Sequence, residues 1–265
     1  MAHSSPNLAN ISSPFHGEPQ TAVEIIKDKY DADFRRMFTV DEGNYLVGTD
    51  AESIQLRVLA HYLKNEEYIE AIVNGRKENE TDIHNVNKRA LGLSHLTRDD
   101  AKTFIYAFLL GAGTAKVARI LRCNTKTAKG AVDSFIENTK GLGKLRNGMI
   151  KRDAARGWFE GLDGRKVIND SEYLMLAGYL QCGESVIMRH WVSRWVDEAR
   201  KAKIPFKLVN WVHDETQVEV IKSRDACDEL VAIQAKAMDW VTTDLGLICP
   251  MDIEAKVDTT WLGTH

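Results

Sequence analysis

Two short stretches constrain this chain more than anything else in it: Gly48-Thr49-Asp50-Ala51-Glu52-Ser53-Ile54-Gln55-Leu56-Arg57 and Trp211-Val212-His213-Asp214-Glu215. Each sets an aspartate where an apolar, strand-like run ends. Asp50 follows Tyr45-Leu46-Val47, and Asp214 follows Leu208-Val209 and Trp211-Val212. Two carboxylates on neighbouring strands of one sheet can hold a pair of magnesium ions, the clamp used for in-line phosphoryl transfer. Between them lies Arg98-Asp99-Asp100-Ala101-Lys102-Thr103-Phe104-Ile105-Tyr106. Arg98, Lys102 and Tyr106 recur every four residues, so they line one helix face with only ~40° of drift per step. A cation pair one turn apart grips successive phosphates, and an aromatic one turn further packs on a sugar or base. Alone, such a face is more often a solvated surface over one buried aromatic. Its place between two acid-tipped strands is what points to phosphate.

The charge distribution agrees. The net charge of −3 speaks weakly against a nucleic-acid partner until it is divided along the chain. From Arg98 to Lys166 there are 15 Lys+Arg against 7 Asp+Glu, a balance of +8, while the remainder carries −11. A basic segment inside an acidic chain is a local electrostatic footprint. At 265 residues, 44% hydrophobic and 28% charged, the chain can bury a substantial core in one large or two small domains. No apolar run approaches the ~18 residues of a membrane span, and the opening residues lack the basic-then-apolar layout of a signal peptide. Cys123, Cys182, Cys227 and Cys249 form no CxxC pair, which argues against a disulfide framework or a zinc site and for buried thiols in a reducing cytoplasm.

Hydrophobic periodicity organises the rest. Residues 1–20 are broken by Pro6, Pro14, Gly17 and Pro19. Val23, Ile26, Tyr30, Phe34 and Met37 predict a helix over 21–38, and Asp41-Glu42-Gly43-Asn44 a turn before the first strand. After Asp50, the run Ile54, Val58, Leu59 and Leu63 predicts an amphipathic helix on which Arg57 and His61 share a face. From about 65 to 165 the chain reads as mostly helical, broken at Gly75, Gly92, Gly111-Ala112-Gly113 and Gly141-Leu142-Gly143, with a tight turn at Asp163-Gly164. Helices are expected over about 171–199 and 224–243. A hairpin of 207–212 and 216–220 would carry the second acidic cluster at its tip, and a strand segment would close the chain. Strands near both ends and a helical middle imply an α+β architecture, a sheet domain interrupted by a helical insertion.

Acid, base, acid in this order resembles motifs A, B and C of family A DNA polymerases. Asp50 sits in a stretch similar to the family's GxDxSxxELRxxAH pattern. Arg98 to Phe108 is very similar to its nucleotide-binding helix, above all in short-tailed phages, and Trp211 to Gln217 resembles its VHDE hairpin. Asp82-Ile83-His84 and Gly161-Leu162-Asp163-Gly164-Arg165-Lys166 also match, and Ser5-Pro6-Asn7-Leu8-Ala9-Asn10-Ile11 looks like the DPNLQNIP stretch that begins the palm. The resemblance implies a palm with an antiparallel sheet over 1–63 and 168–265, and helical fingers over 64–167. It implies too that thumb and exonuclease lie outside this sequence.

The same resemblance implies a DNA-directed DNA polymerase fragment that uses dNTPs, a primer–template and two Mg²⁺. Asp50, Asp214 and the Ala51 carbonyl would hold the metals. His84, Arg98 and Lys102 would hold the triphosphate, with Lys102 also the general acid to the leaving group, and Tyr106 would pack beside the deoxyribose. Gln181 and His213 would contact DNA, with Glu215 beside the metals. Four positions depart from the pattern: Gln55 stands where a glutamate excludes the 2′-hydroxyl, Leu110 for a tyrosine, Ala177 for an asparagine and Asp170 for an arginine. The resemblance further implies the C-terminal half of a split polymerase in the cytoplasm (the host's, if phage-encoded). Its N-terminal partner chain would supply thumb, exonuclease and a primer-contacting arginine, and a processivity factor would fit beside it. Two rivals stand against this reading. One is a non-catalytic, polymerase-derived DNA-binding or scaffold subunit, opposed by the retained aspartates and basic pair. The other is an unrelated two-aspartate phosphohydrolase, which leaves the basic helix unexplained.

Overall fold

A computed structural model describes residues 30, 32–169 and 171–264. The Ser5–Ile11 stretch, most of the helix expected over 21–38, and Asp170 lie outside them. The chain divides into two compact units. One comprises Met1–Glu52, Ile187–Val241 and Met251–His265; the other comprises Ser53–Val186 and Thr242–Pro250.

The first unit is built on a four-stranded antiparallel sheet of order β4-β5-β1-β6. Its strands are β1 (Tyr45–Ala51), β4 (Phe206–Val212), β5 (Glu215–Val220) and β6 (Ile253–Asp258). Strand β1 is central, so alternate side chains are buried on both faces. Thr49 turns to the face where α9 (Arg224–Asp244) lies and donates to Gln234 Oε1 at 2.8 Å. The Gln234 carbonyl in turn accepts from the Trp191 indole at 2.8 Å. On the opposite face the C-terminal residues close over the sheet. A Cβ at Gly48 would stand 2.6 Å from Gln217 Nε2 and from Thr264, so only glycine admits this approach. Thr264 Oγ1 donates to Gln217 Oε1 at 2.8 Å, and the Arg35 guanidinium packs over the Trp261 ring at 4.5 Å. Strand β4 is the edge, broken in register between Leu208 and Asn210. Such a bulge bends an edge strand and makes it a poorer template for pairing.

The second unit is helical. It contains α1 (Ile54–Leu63), α2 (Glu66–Val73), α3 (Ile83–Leu91), α4 (Arg98–Leu109), α5 (Thr114–Ile120) and α6 (Thr125–Asn138). Segment α7 covers 142–156 and has a π-helical middle, Leu145–Ile150. A two-stranded hairpin comes next, β2 (Trp158–Glu160) and β3 (Lys166–Ile168), turning at Asp163-Gly164 where Gly164 takes φ +78°. The 30-residue α8 (Glu172–Lys201) gives its first half to this unit and its second half to the other. Gly92 and Gly111 end helical segments with φ of +70° and +73°, and Gly141 opens the segment at 142 with φ of +92°, backbone that L side chains rarely adopt. Arg57 and His61, expected on one face of α1, both hold the segment before β6. Arg57 Nη1 donates to the Pro250 carbonyl at 2.5 Å, and His61 Nδ1 accepts from the Ile248 N–H at 3.3 Å.

Mixed helix and antiparallel sheet is therefore the observed class. The helical stretch runs less far than its periodicity suggested, because Trp158, Phe159 and Val167 pair as strands beyond Gly157. The division into palm and fingers is a functional one and remains the resemblance's expectation. By packing, α1 and the first half of α8 group with the helical segment.

Candidate active site

The acidic cluster forms where three strands end together. In the ladder Asp50 stands opposite Glu215 on β5 and opposite Glu254 on β6. The Ala51 N–H donates to the Asp214 carbonyl at 2.9 Å, so Asp214 sits one step beyond the last paired residues. His213 and Asp214 form the two-residue tip between Val212 and Glu215, and His213 takes φ 53°, the left-handed conformation such tips demand. His213 is exposed; Asp50, Asp214 and Glu215 are half-buried. Glu215 is fixed from behind, since its Oε1 accepts from the Trp261 indole at 2.7 Å and from Gln217 Nε2 at 2.5 Å. Gln217 closes the stretch that resembles the VHDE hairpin, whereas Trp261 is not marked by the sequence as part of a site. An isolated tryptophan far from either motif gives no signal of its own.

Among the described residues no three His, Cys, Asp or Glu side chains converge on a metal-sized site. That does not oppose magnesium, which keeps several waters and is bound by one or two carboxylates together with substrate phosphates. Two aspartates and a backbone carbonyl, all hard oxygen donors brought together at the end of β1, form a fitting partial donor set.

The second unit carries the basic helix. Thr97 and Asp100 form a capping box at the start of α4. Its buried side is fixed by Phe104 and Phe108, which pack on Phe135 of α6 with centroids 5.2 and 5.3 Å away. The opposite side presents half-buried Arg98, exposed Lys102 and half-buried Tyr106. Asp82, the N-cap of α3, accepts from Arg98 Nε at 2.9 Å and from the His84 backbone N–H at 3.1 Å. Its carboxyl is held below the ordinary range by bonds from Asn85, His84 and Arg98 that outweigh the cost of burial. Asp82 thus orients the guanidinium, a role that only its N-cap position before Ile83-His84 hinted at. The His84 ring lies 6.3 Å from that of Tyr106. It is buried, with no partner for Nδ1, and burial followed by the Arg98 and Lys102 charges depresses it to about 4. Two cations beside a buried imidazole make an electropositive environment that favours an anion.

Gln55, on the first turn of α1, donates from Nε2 to Glu184 Oε2 at 2.9 Å. Gln181 is exposed on α8, three residues before Glu184. Leu110 is exposed at the end of α4, and Ala177 is buried. Beside Leu110, the Tyr173 hydroxyl donates to the Gly111 carbonyl, so an aromatic from α8 lies at this end of α4. It lines a cavity of about 460 Å³ together with Phe108, Ala112, Lys129 and Arg146.

Residues 1–263 match the DNA polymerase family A model. The DNA-directed DNA polymerases of Enterobacteria phage T3 and Escherichia phage T7 are each 32% identical to this chain over 241 residues, covering 82% of it and 33% of theirs. The thermostable DNA polymerase I of Thermus thermophilus is 23% identical over 278 residues, covering 99% of this chain and 31% of its own length. The chain therefore spans about a third of these relatives. A solved structure, the POL domain of Pol1 from M. smegmatis in complex with DNA primer-template and dNTP, superposes with a TM-score of 0.78 at 20% identity. It covers 98% of this chain and 45% of its own. That likeness establishes the fold.

Proposed function

We propose that this chain, which belongs to DNA polymerase family A, is the catalytic palm-and-fingers part of a DNA-directed DNA polymerase. The observation that carries the proposal is the register at the end of β1, which sets Asp50 and Ala51 beside the hairpin tip that holds Asp214. Asp50, Asp214 and the Ala51 carbonyl would hold two Mg²⁺. Those ions supply activation of the primer 3′-hydroxyl and neutralisation of the triphosphate. Arg98, aimed by Asp82, grips the triphosphate together with Lys102 and His84. Lys102 Nζ carries the proton for the departing pyrophosphate. Tyr106 packs beside the sugar, and Gln55 walls off its 2′ position. Gln181 and His213 contact the duplex near the primer end, and Glu215 lies beside the metal ligands.

In this reading the boundaries are palm 1–63 and 168–265, and fingers 64–167. The thumb and exonuclease come from a further segment or a partner chain, since the phage relatives are about three times as long as the stretch matched here. The test is primer extension by the full protein against Asp50→Ala and Asp214→Ala. Template-directed dNTP addition that both substitutions abolish supports the proposal. Addition that survives either one at near wild-type rate refutes the two-metal assignment.

A further inference from the structure

We propose that Glu184 is a positioning residue for sugar selection, its carboxylate pinning the Gln55 side chain as a fixed wall against the nucleotide 2′ position. The inference rests on the polymerase reading above. Gln55 Nε2 donates to Glu184 Oε2 at 2.9 Å, and both side chains are half-buried. An amide donating to an ionised acceptor makes a stronger bond than one between neutral groups, and partial burial limits competition from water.

The bond exists because α1 and α8 touch closely at the neighbouring residue. A Cβ at Gly183 would stand 2.8 Å from Val58 Cγ1. Val58 lies one turn after Gln55, and Glu184 directly follows Gly183, so this contact sets the two polar side chains face to face. Gln55 also belongs to the same compact unit as His84, Arg98, Lys102 and Tyr106.

The physical need is rigidity. Ribose and deoxyribose differ by one oxygen, and a glutamine free to change rotamer yields to it. A glutamine held at its terminal amide does not. Position 55 carries an amide where the motif it resembles carries a carboxylate, and α8 supplies a carboxylate to the same place.

Steady-state primer extension by the full protein, with dNTP and with rNTP, tests this. The variants are Glu184→Ala, Glu184→Gln, Glu184→Met, Gln55→Ala and the double variant Gln55→Ala/Glu184→Ala. Glu184→Ala should lower dNTP-over-rNTP selectivity about 5-fold or more, chiefly by raising kcat/KM for the ribonucleotide. Glu184→Met, which keeps the volume but accepts no hydrogen bond of this kind, should do the same. Glu184→Gln still accepts from the Gln55 amide and should retain most of the selectivity. The double variant should be no less selective than Gln55→Ala alone, because the wall is already gone. Parallel loss of kcat/KM for both sugars, or full additivity in the double variant, would mean a merely structural Glu184 and overturn the proposal. Unchanged selectivity in Glu184→Ala and Glu184→Met, with dNTP extension intact, overturns the proposal and spares the polymerase reading. A wild-type protein that extends with neither sugar overturns both.

Discussion

At the scale of single residues, the chain commits charge where it has little to spare. Asp50→Ala or Asp214→Ala removes one of two aspartates at the end of β1, and primer extension should fall by at least ~10³-fold while the circular dichroism of the fold persists. A loss of that size corresponds to ~4 kcal/mol of transition-state stabilisation. Gln55→Ala should raise ribonucleotide incorporation by at least ~10-fold, read from rNTP and dNTP competition. His84 supplies a pH dependence. Its folded value of about 4 lies below the ordinary 6.5, so between these pH values the unfolded chain binds more protons than the folded one. Stability is therefore full above about 6.5 and falls as the pH drops toward 4, and urea midpoints should show that loss shrinking in His84→Asn. A bound triphosphate raises the imidazole's proton affinity, so nucleotide binding should strengthen more steeply on acidification in wild type than in His84→Asn. Titration calorimetry with a non-hydrolysable dNTP, across pH 8 to 6, measures the difference.

At the scale of elements, two tight contacts place the chemistry. Helix α4 is held by its capping box and by the Phe104, Phe108 and Phe135 cluster, so its opposite face is free to carry Arg98, Lys102 and Tyr106 in a row. Asp82 then fixes Arg98 from α3. Asp82→Asn keeps the N-cap but weakens the ion pair, and should raise the dNTP KM several-fold with a smaller effect on kcat. An equal fall in kcat with KM unmoved would argue against orientation as its role. In the other unit, Gly48 lets Thr264 and Gln217 close over β1. Gly48→Ala forces a carbon against backbone and side-chain atoms within 2.6 Å and should cost ~1–3 kcal/mol in chemical denaturation.

At the scale of the whole molecule, charge and length set the expectation for DNA. The +8 segment from Arg98 to Lys166 lies in a chain that carries −11 elsewhere, so the phosphate contacts this chain can offer are concentrated in one stretch. Affinity for duplex depends on the number of phosphates neutralised, and so does the slope of log K against log salt. We expect the 265-residue chain alone to bind primer–template with a shallow salt slope, and a steeper one once thumb and exonuclease are supplied by another segment or chain. Tight, processive synthesis by the chain alone at physiological salt would contradict this.

Much of this was legible in the sequence, because the signals involved are local. The apolar run that leads into Asp50, the apolar spacing of α1, the glycine breaks, and the four-residue step from Arg98 to Tyr106 follow from backbone geometry and side-chain period alone. They identify strands, helices and the order of acid and base along the chain. Beyond the 207–220 hairpin, the sequence could not pair the strands, because register depends on which distant runs bury one another. Only the folded sheet put Asp50 opposite both Glu215 and Glu254, and Trp261 behind Glu215. The same holds for Asp82 on Arg98, for Arg57 on the Pro250 carbonyl and for Glu184 on Gln55. Each joins side chains from elements distant in the chain, a contact no local period encodes and close packing alone decides.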